Sequence, residues 1–70
     1  MKYPVVIEKT KRNYSAYCPD LPGCVATGRT AAEAMKRMKG AIAMHLAGLR
    51  EDRLPIPKPS TAVGYITIAA

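Results

Sequence analysis

Short apolar runs rich in β-branched and aromatic residues near the N-terminus give way, in the middle of the chain, to apolar residues that recur every three to four positions. That change of pattern lays out the elements. Tyr3-Pro-Val-Val-Ile-Glu-Lys9 is rich in β-branched residues and ends in a polar turn, which predicts a first strand. Tyr3, Val5 and Ile7 share one face and Pro4, Val6 and Glu8 the other. Pro4 offers no backbone donor, so it belongs at a strand start or on an unpaired side. Thr10-Lys-Arg-Asn13 is a short polar connection suited to a hairpin. Tyr14-Ser-Ala-Tyr-Cys18 follows as a second strand, with Tyr14, Ala16 and Cys18 opposed to Ser15 and Tyr17. Two prolines and a glycine in Pro19-Asp-Leu-Pro-Gly23 break regular structure into an irregular turn. Cys24 to Thr27 resumes as a short third strand that stops at Gly28.

Thr30-Ala-Ala-Glu33 has the form of a capping box, in which the Thr30 hydroxyl accepts from the Glu33 amide and the Glu33 carboxylate reaches back. Ala34, Met35, Met38, Ala41, Ile42, His45, Leu46 and Leu49 then cover one helical face about 140° wide. Gly40 falls opposite that stripe, and the helix is expected to end between Gly48 and Asp52. Leu54-Pro-Ile-Pro-Lys-Pro-Ser60 reads as an extended, proline-set crossover. Val63-Gly-Tyr-Ile-Thr-Ile68 comes last and predicts a fourth strand, with Ile66 and Ile68 opposed to Val63 and Tyr65. The order β-β-β-α-β gives an α+β fold, a two-layer sandwich with one helix on one face of a four-stranded sheet. One helix covers one face only, so the apolar groups on the other face point to a protein partner or self-association.

Seventy residues make one domain, spanning 1–70, whose small core is marginal without a partner subunit, a metal or disulfides. Cys18, Cys24 and His45 are three soft ligands at most, in a spacing that matches no zinc pattern. A local Cys18–Cys24 disulfide is sterically conceivable, but two buried thiols fit a reducing compartment better. No metal and no cofactor is expected, and homo-oligomerisation, as a dimer or higher, is left as the source of extra stability. The N-terminus has no signal-peptide character and no apolar run reaches the roughly 20 residues that span a bilayer, so the expected location is cytoplasmic and no membrane partner is expected.

Eleven Lys and Arg against five Asp and Glu give a net charge of +6, which makes acidic partners attractive, nucleic acid first among them. Lys36, Arg37 and Lys39 fan over about 160° of the helix surface, closer to a solvated face than to a phosphate-tracking stripe. Catalytic chemistry finds no foothold. His45 is the sole candidate base and points into the apolar stripe, where a core or edge histidine bonded to backbone accounts for it. Glu8, Asp20, Glu33, Glu51 and Asp52 are spread singly over strand, turn and helix ends, with no carboxylate cluster for metal-assisted phosphoryl chemistry. No enzyme is expected.

Tyr14-x-Ala16-x-x-Pro19-Asp20-Leu21-Pro22-Gly23-Cys24, then Gly28-x-Thr30-x-x-Glu33-Ala34, then Ile56-Pro57-x-Pro59, keeps an order and spacing that resembles the HicB family of antitoxins. The likeness runs from about Tyr3 to Ser60. It implies a partial RNase H-like fold of three antiparallel strands, a helix and a further strand. It also implies a non-catalytic protein that neutralises a HicA-type toxin, a small mRNA-cleaving ribonuclease, by docking over its active site. Family members commonly continue into a DNA-binding segment. None is expected within these 70 residues, so operon repression is not carried over. HicA-type toxins are themselves usually basic, so binding would rest on apolar surface and shape and not on charge steering.

The partner-binding surface expected on these grounds combines the turn residues Pro19, Asp20, Leu21, Pro22 and Gly23 with the outward side chains of the second strand, Ser15 and Tyr17. Tyr17 is the natural anchor. For Asp20 a local backbone hydrogen bond is favoured over a partner contact, and Gly23 is expected to adopt a conformation that a Cβ would crowd. The competing reading is a small RNA- or nucleic-acid-binding module that stacks bases on Tyr3, Tyr14 and Tyr17. A HicB-like protein without a toxin is the third.

Overall fold

The computed structural model describes residues 1–69. Strands β1 (Val6–Lys9), β2 (Tyr14–Tyr17) and β3 (Val25–Gly28) form an antiparallel sheet in the order β1-β2-β3. Helix α1 (Ala31–Glu51) crosses one of its faces, giving a two-layer α+β fold. Val6 lies opposite Tyr17 and Tyr17 opposite Val25, while Ile7, Ala16 and Ala26 align in the next row. The hairpin between β1 and β2 is closed by Thr10, whose amide donates to the Asn13 carbonyl at 2.8 Å and whose hydroxyl accepts from the Asn13 amide at 3.0 Å.

The core lies between sheet and helix. Ala16, Cys18, Leu21 and Cys24 pack against Ala34 and Met38, all six buried, and Tyr3, Val5, Tyr14, Ala26, Ala41, Ile42 and Leu46 close the ring around them. Small side chains set the layer spacing. A Cβ on Gly28 would stand 2.5 Å from the Ala34 nitrogen, so this glycine, which the sequence marks only as a strand end, also lets the helix start against β3.

The helix begins as expected, with the Glu33 amide donating to the Thr30 hydroxyl at 3.0 Å. The Glu33 carboxylate reaches one residue further than a capping box requires and accepts from the Arg29 amide at 3.1 Å. Arg37 pairs with the same carboxylate at 3.2 Å and donates to the Thr27 carbonyl at 3.0 Å. It thus ties the helix to β3, whereas Lys36 and Lys39 are solvated. Met35 departs from the expected core stripe and is 49% exposed. The reason is placement: α1 packs chiefly on β3 and β2 and least on β1, so its β1-facing flank lacks a floor.

At the far end the Leu54 amide donates to the Leu49 carbonyl and the Arg53 amide to the Arg50 carbonyl, the bond pattern of a Schellman cap. The left-handed position of that cap is Arg53, at φ 55°, where glycine is usual. An L-residue there costs about 1–2 kcal/mol, partly offset by the lower unfolded-state entropy of arginine. Arg53→Gly is therefore expected to stabilise the chain by about 0.5–1 kcal/mol, raising Tm by roughly 2–8 °C in a thermal melt.

The fourth strand is a correction. Leu54 to Pro59 does form an extended crossover, fixed where the Tyr3 hydroxyl donates to the Pro57 carbonyl. Beyond it, residues 60–69 pair with no strand, and Val63, Tyr65, Ile66 and Ile68 are 57–93% exposed. Among the described residues the sheet has three strands and the order is β-β-β-α. The further strand implied by the family resemblance is not formed among the described residues. Composition makes a segment fit to be a strand; only a free edge within reach makes it one.

Candidate functional site: the open sheet face and the turn beside it

Because α1 covers one face of the sheet, the side chains of opposite parity have no cover. They form two rows across the three strands. Val6, Tyr17 and Val25 make an apolar row, and Glu8, Ser15 and Thr27 a polar one beside it. Tyr17 is 39% and Val25 66% exposed, with Val6 and Ser15 half-buried. Ser15 and Tyr17 therefore stand together on the open face, as the alternation predicts. Val25 belongs with them, and the parity of the third strand is the sequence signal for it.

The turn from Pro19 to Gly23 closes the end of the β2–β3 pair. The Cys18 amide donates to the Cys24 carbonyl at 3.2 Å, the Leu21 amide to the Cys18 carbonyl at 3.1 Å and the Cys24 amide to the Leu21 carbonyl at 3.0 Å. This geometry turns the Leu21 side chain inward, where it is fully buried. Leu21 is thus corrected from a contact residue to the anchor of the turn. Pro22 and Gly23 are exposed and Pro19 half-buried. Gly23 adopts φ +83°, so its backbone needs glycine; the space around it is open, and crowding is not the reason.

Asp20 is a further correction. Its partners are not local: one carboxylate oxygen accepts from the amides and hydroxyls of both Ser60 and Thr61, at 3.0 to 3.2 Å, forty residues along the chain. The other oxygen is buried with no hydrogen-bond partner. Burial pushes the Asp20 pKa up, but the hydrogen bonds from Ser60 and Thr61 together outweigh it and hold the group below its ordinary 3.8. A carboxylate with a depressed folded pKa contributes above its unfolded value, and that contribution is lost as pH falls through the folded one. The clamp is thus intact at neutral pH. The Ser60 and Thr61 amide resonances are expected to shift together with a midpoint below the ordinary value of 3.8, and to lose that titration in Asp20→Asn.

Cys18 and Cys24 are free and buried, and burial followed by the neighbouring Cys18 raises the Cys24 thiol pKa. His45 is half-buried and shares a shallow depression with Gly23, Cys24 and Val25. Of the three tyrosines offered as a stacking platform, Tyr3 and Tyr14 pack into the helix-side core, leaving Tyr17 alone on the open face. The strand residues of that face (Val6, Glu8, Ser15, Tyr17, Val25 and Thr27) include no Lys or Arg. A nucleic-acid platform combines aromatic stacking with cations along a groove, and here the two are on different surfaces. Among the described residues, no helix is long and apolar enough to cross a membrane.

Residues 3–68 match the family model for the HicB_like antitoxin of bacterial toxin-antitoxin systems. The chain is 42% identical over 66 residues to an uncharacterised 14.9 kDa protein of Haemophilus phage HP1, a match covering 94% of this chain and 50% of the phage protein. It is 34% identical over 61 residues to the antitoxin HicB 2 of Photorhabdus laumondii, covering 87% of this chain and 44% of that antitoxin. The chain therefore spans about half the length of these relatives. Its fold superposes on a chain of the HicA3 and HicB3 toxin-antitoxin complex with a TM-score of 0.72 at 35% identity, over 86% of this chain and 70% of that one. With a family model matched over nearly its whole length, a relative of known class and a shared fold, the chain belongs to the HicB-like antitoxin family.

Proposed function

We propose that this chain neutralises a HicA-type ribonuclease toxin by steric masking, laying its open sheet face and the exposed Pro22–Gly23 turn over the toxin surface that handles RNA. The observation that carries the reading is the apolar row Val6–Tyr17–Val25, uncovered on the face away from the helix in a chain of an antitoxin family. Such a row resembles the apolar centre of a protein interface, with Ser15, Thr27 and Glu8 as its polar margin. Shape and apolar burial suit a basic partner that a chain of net charge +6 cannot attract at long range. The dispersal of the acids supports a role without chemistry: Glu8 lies on β1, Asp20 is committed to the crossover and Glu33 to the helix start. The test is an RNA-cleavage assay of a HicA-type toxin titrated with the full chain, run beside direct RNA binding by the chain alone. Inhibition complete near equimolar antitoxin is expected. Tight, salt-sensitive RNA binding with no inhibition would instead establish the nucleic-acid module.

A further inference from the structure

Cys18 and Cys24 are the only cysteines in the chain, and the fold sets them opposite one another. The β2–β3 register runs from Tyr14 opposite Gly28 to Tyr17 opposite Val25. One row further, the Cys18 amide donates to the Cys24 carbonyl at 3.2 Å, so the two cysteines continue the ladder as cross-strand neighbours. Parity puts both side chains on the helix side, two positions on from the aligned pair Ala16 and Ala26, and both belong to the same buried cluster. A hydrogen-bonded antiparallel pair separates its Cα atoms by about 5.5 Å, inside the range that disulfides span. Burial raises the Cys24 pKa and Cys18 raises it further, a charge effect exerted only by a near neighbour. At rest the pair is therefore a protonated dithiol.

The two thiols differ in access. Both are buried, but Cys24 lines a shallow depression of about 210 Å³ beside the turn, with Gly23, Val25, Met44 and His45. Cys18 does not line it and lies behind Cys24 in the core. A cysteine buried on its own is an inert, small apolar side chain. Here one thiol is reached from the surface and the second stands across the ladder from it, an arrangement that separates a reacting sulfur from a resolving one. So narrow an approach admits a small neutral oxidant and excludes a bulky one.

We infer that Cys18 and Cys24 form a site of oxidative modification, at which hydrogen peroxide entering beside Gly23 converts the dithiol into an intramolecular disulfide across the base of the Pro19–Gly23 turn. The Cys24 sulfur attacks one peroxide oxygen and the O–O bond breaks. The other oxygen leaves as hydroxide and takes the thiol proton, giving a sulfenic acid on Cys24 and one water. The Cys18 sulfur then attacks that of Cys24, the S–O bond breaks, and the departing hydroxide takes the Cys18 proton as a second water. The dithiol loses two electrons and the peroxide gains them. Met38, unbranched and in the same cluster, adapts as the sulfurs close up. The new bond ties off the seven residues Cys18–Cys24 and fixes the turn covalently. The inference is independent of the toxin reading, and no measurement below contains a toxin.

The folded full chain is treated with hydrogen peroxide, and its remaining thiols are alkylated after denaturation. Both thiols are expected to be lost together, with a peptide map that links Cys18 to Cys24 within one chain. Dithiothreitol should restore them, which separates the product from methionine sulfoxide. The oxidised chain should melt about 5–15 °C higher than the reduced one, as expected for a cross-link closing a short loop. Cys18→Ala should stop at a sulfenic acid on Cys24 that dimedone traps, whereas Cys24→Ala should leave Cys18 unmodified over the same interval. The wild-type map and melt need neither variant to fold. Thiols that react only once urea has unfolded the chain, a disulfide between two chains, an unchanged melting temperature after oxidation, or dimedone trapping on Cys18 would each overturn the site.

Discussion

Leu21→Ala is expected to remove a large share of the folding stability of this chain, about 3–5 kcal/mol. Leu21 is wholly buried and is the largest side chain that the turn contributes to the core. Removing a buried leucine costs about 3–5 kcal/mol, through lost transfer energy and the cavity left behind. A chain of 70 residues has roughly 4–10 kcal/mol in total. The site cannot collapse easily either, because the turn is held to Cys18 and Cys24 by backbone hydrogen bonds on both sides of the residue. At about 4–8 °C per kcal/mol for a domain of this size, the melting temperature should fall by at least about 12 °C. Pro22→Ala, on the exposed neighbour, should shift it by no more than a few degrees. A urea titration in which the two variants lose equal stability would show that the turn is not anchored as described.

What could be read in the sequence follows how local each determinant is. The helix start at Thr30 and the Thr10–Asn13 hairpin are fixed by residues within four positions of one another, and each is where the pattern puts it, while the helix end at Glu51 falls inside the expected window of Gly48 to Asp52. Parity is also local, so Ser15 and Tyr17 could be placed on one face and Tyr14 and Ala16 on the other. Leu21, a leucine between two prolines, carries the local signature of an exposed turn, whereas its burial depends on where the helix passes. Asp20 has an ordinary turn context, and nothing near it announces partners at Ser60 and Thr61. The helix terminus at Arg53 lacks the glycine by which such caps are usually recognised. Val63–Ile68 shows the converse failure. Its β-forming residues are genuine, but pairing is a property of two segments, and among the described residues no second segment pairs with it.

Tyr17→Ala is expected to weaken toxin inhibition by at least about 30-fold, the equivalent of 2 kcal/mol for a central aromatic anchor. Tyr17 occupies the middle strand, flanked by Val6 and Val25, so it is the most central side chain of the open face. At 39% exposure in the free chain it retains enough surface to bury on docking. Tyr17→Phe keeps the ring and should retain most of the inhibition, apart from any hydrogen bond the hydroxyl makes to the toxin, which separates packing from polar contact. Neither change should move the melting point far, since the ring projects away from the core that Ala16 and Cys18 build on the opposite side of the strand. The strand residues around Tyr17 on this face carry one charge, that of Glu8. Affinity should therefore change by less than about threefold between 0.05 and 0.5 M salt, a range over which the Debye length shortens by about threefold. An inhibition constant that weakens tenfold or more over that range, with Tyr17→Ala as potent as the wild type, would move the interface from the open sheet face to the basic residues of the helix, Lys36, Arg37 and Lys39.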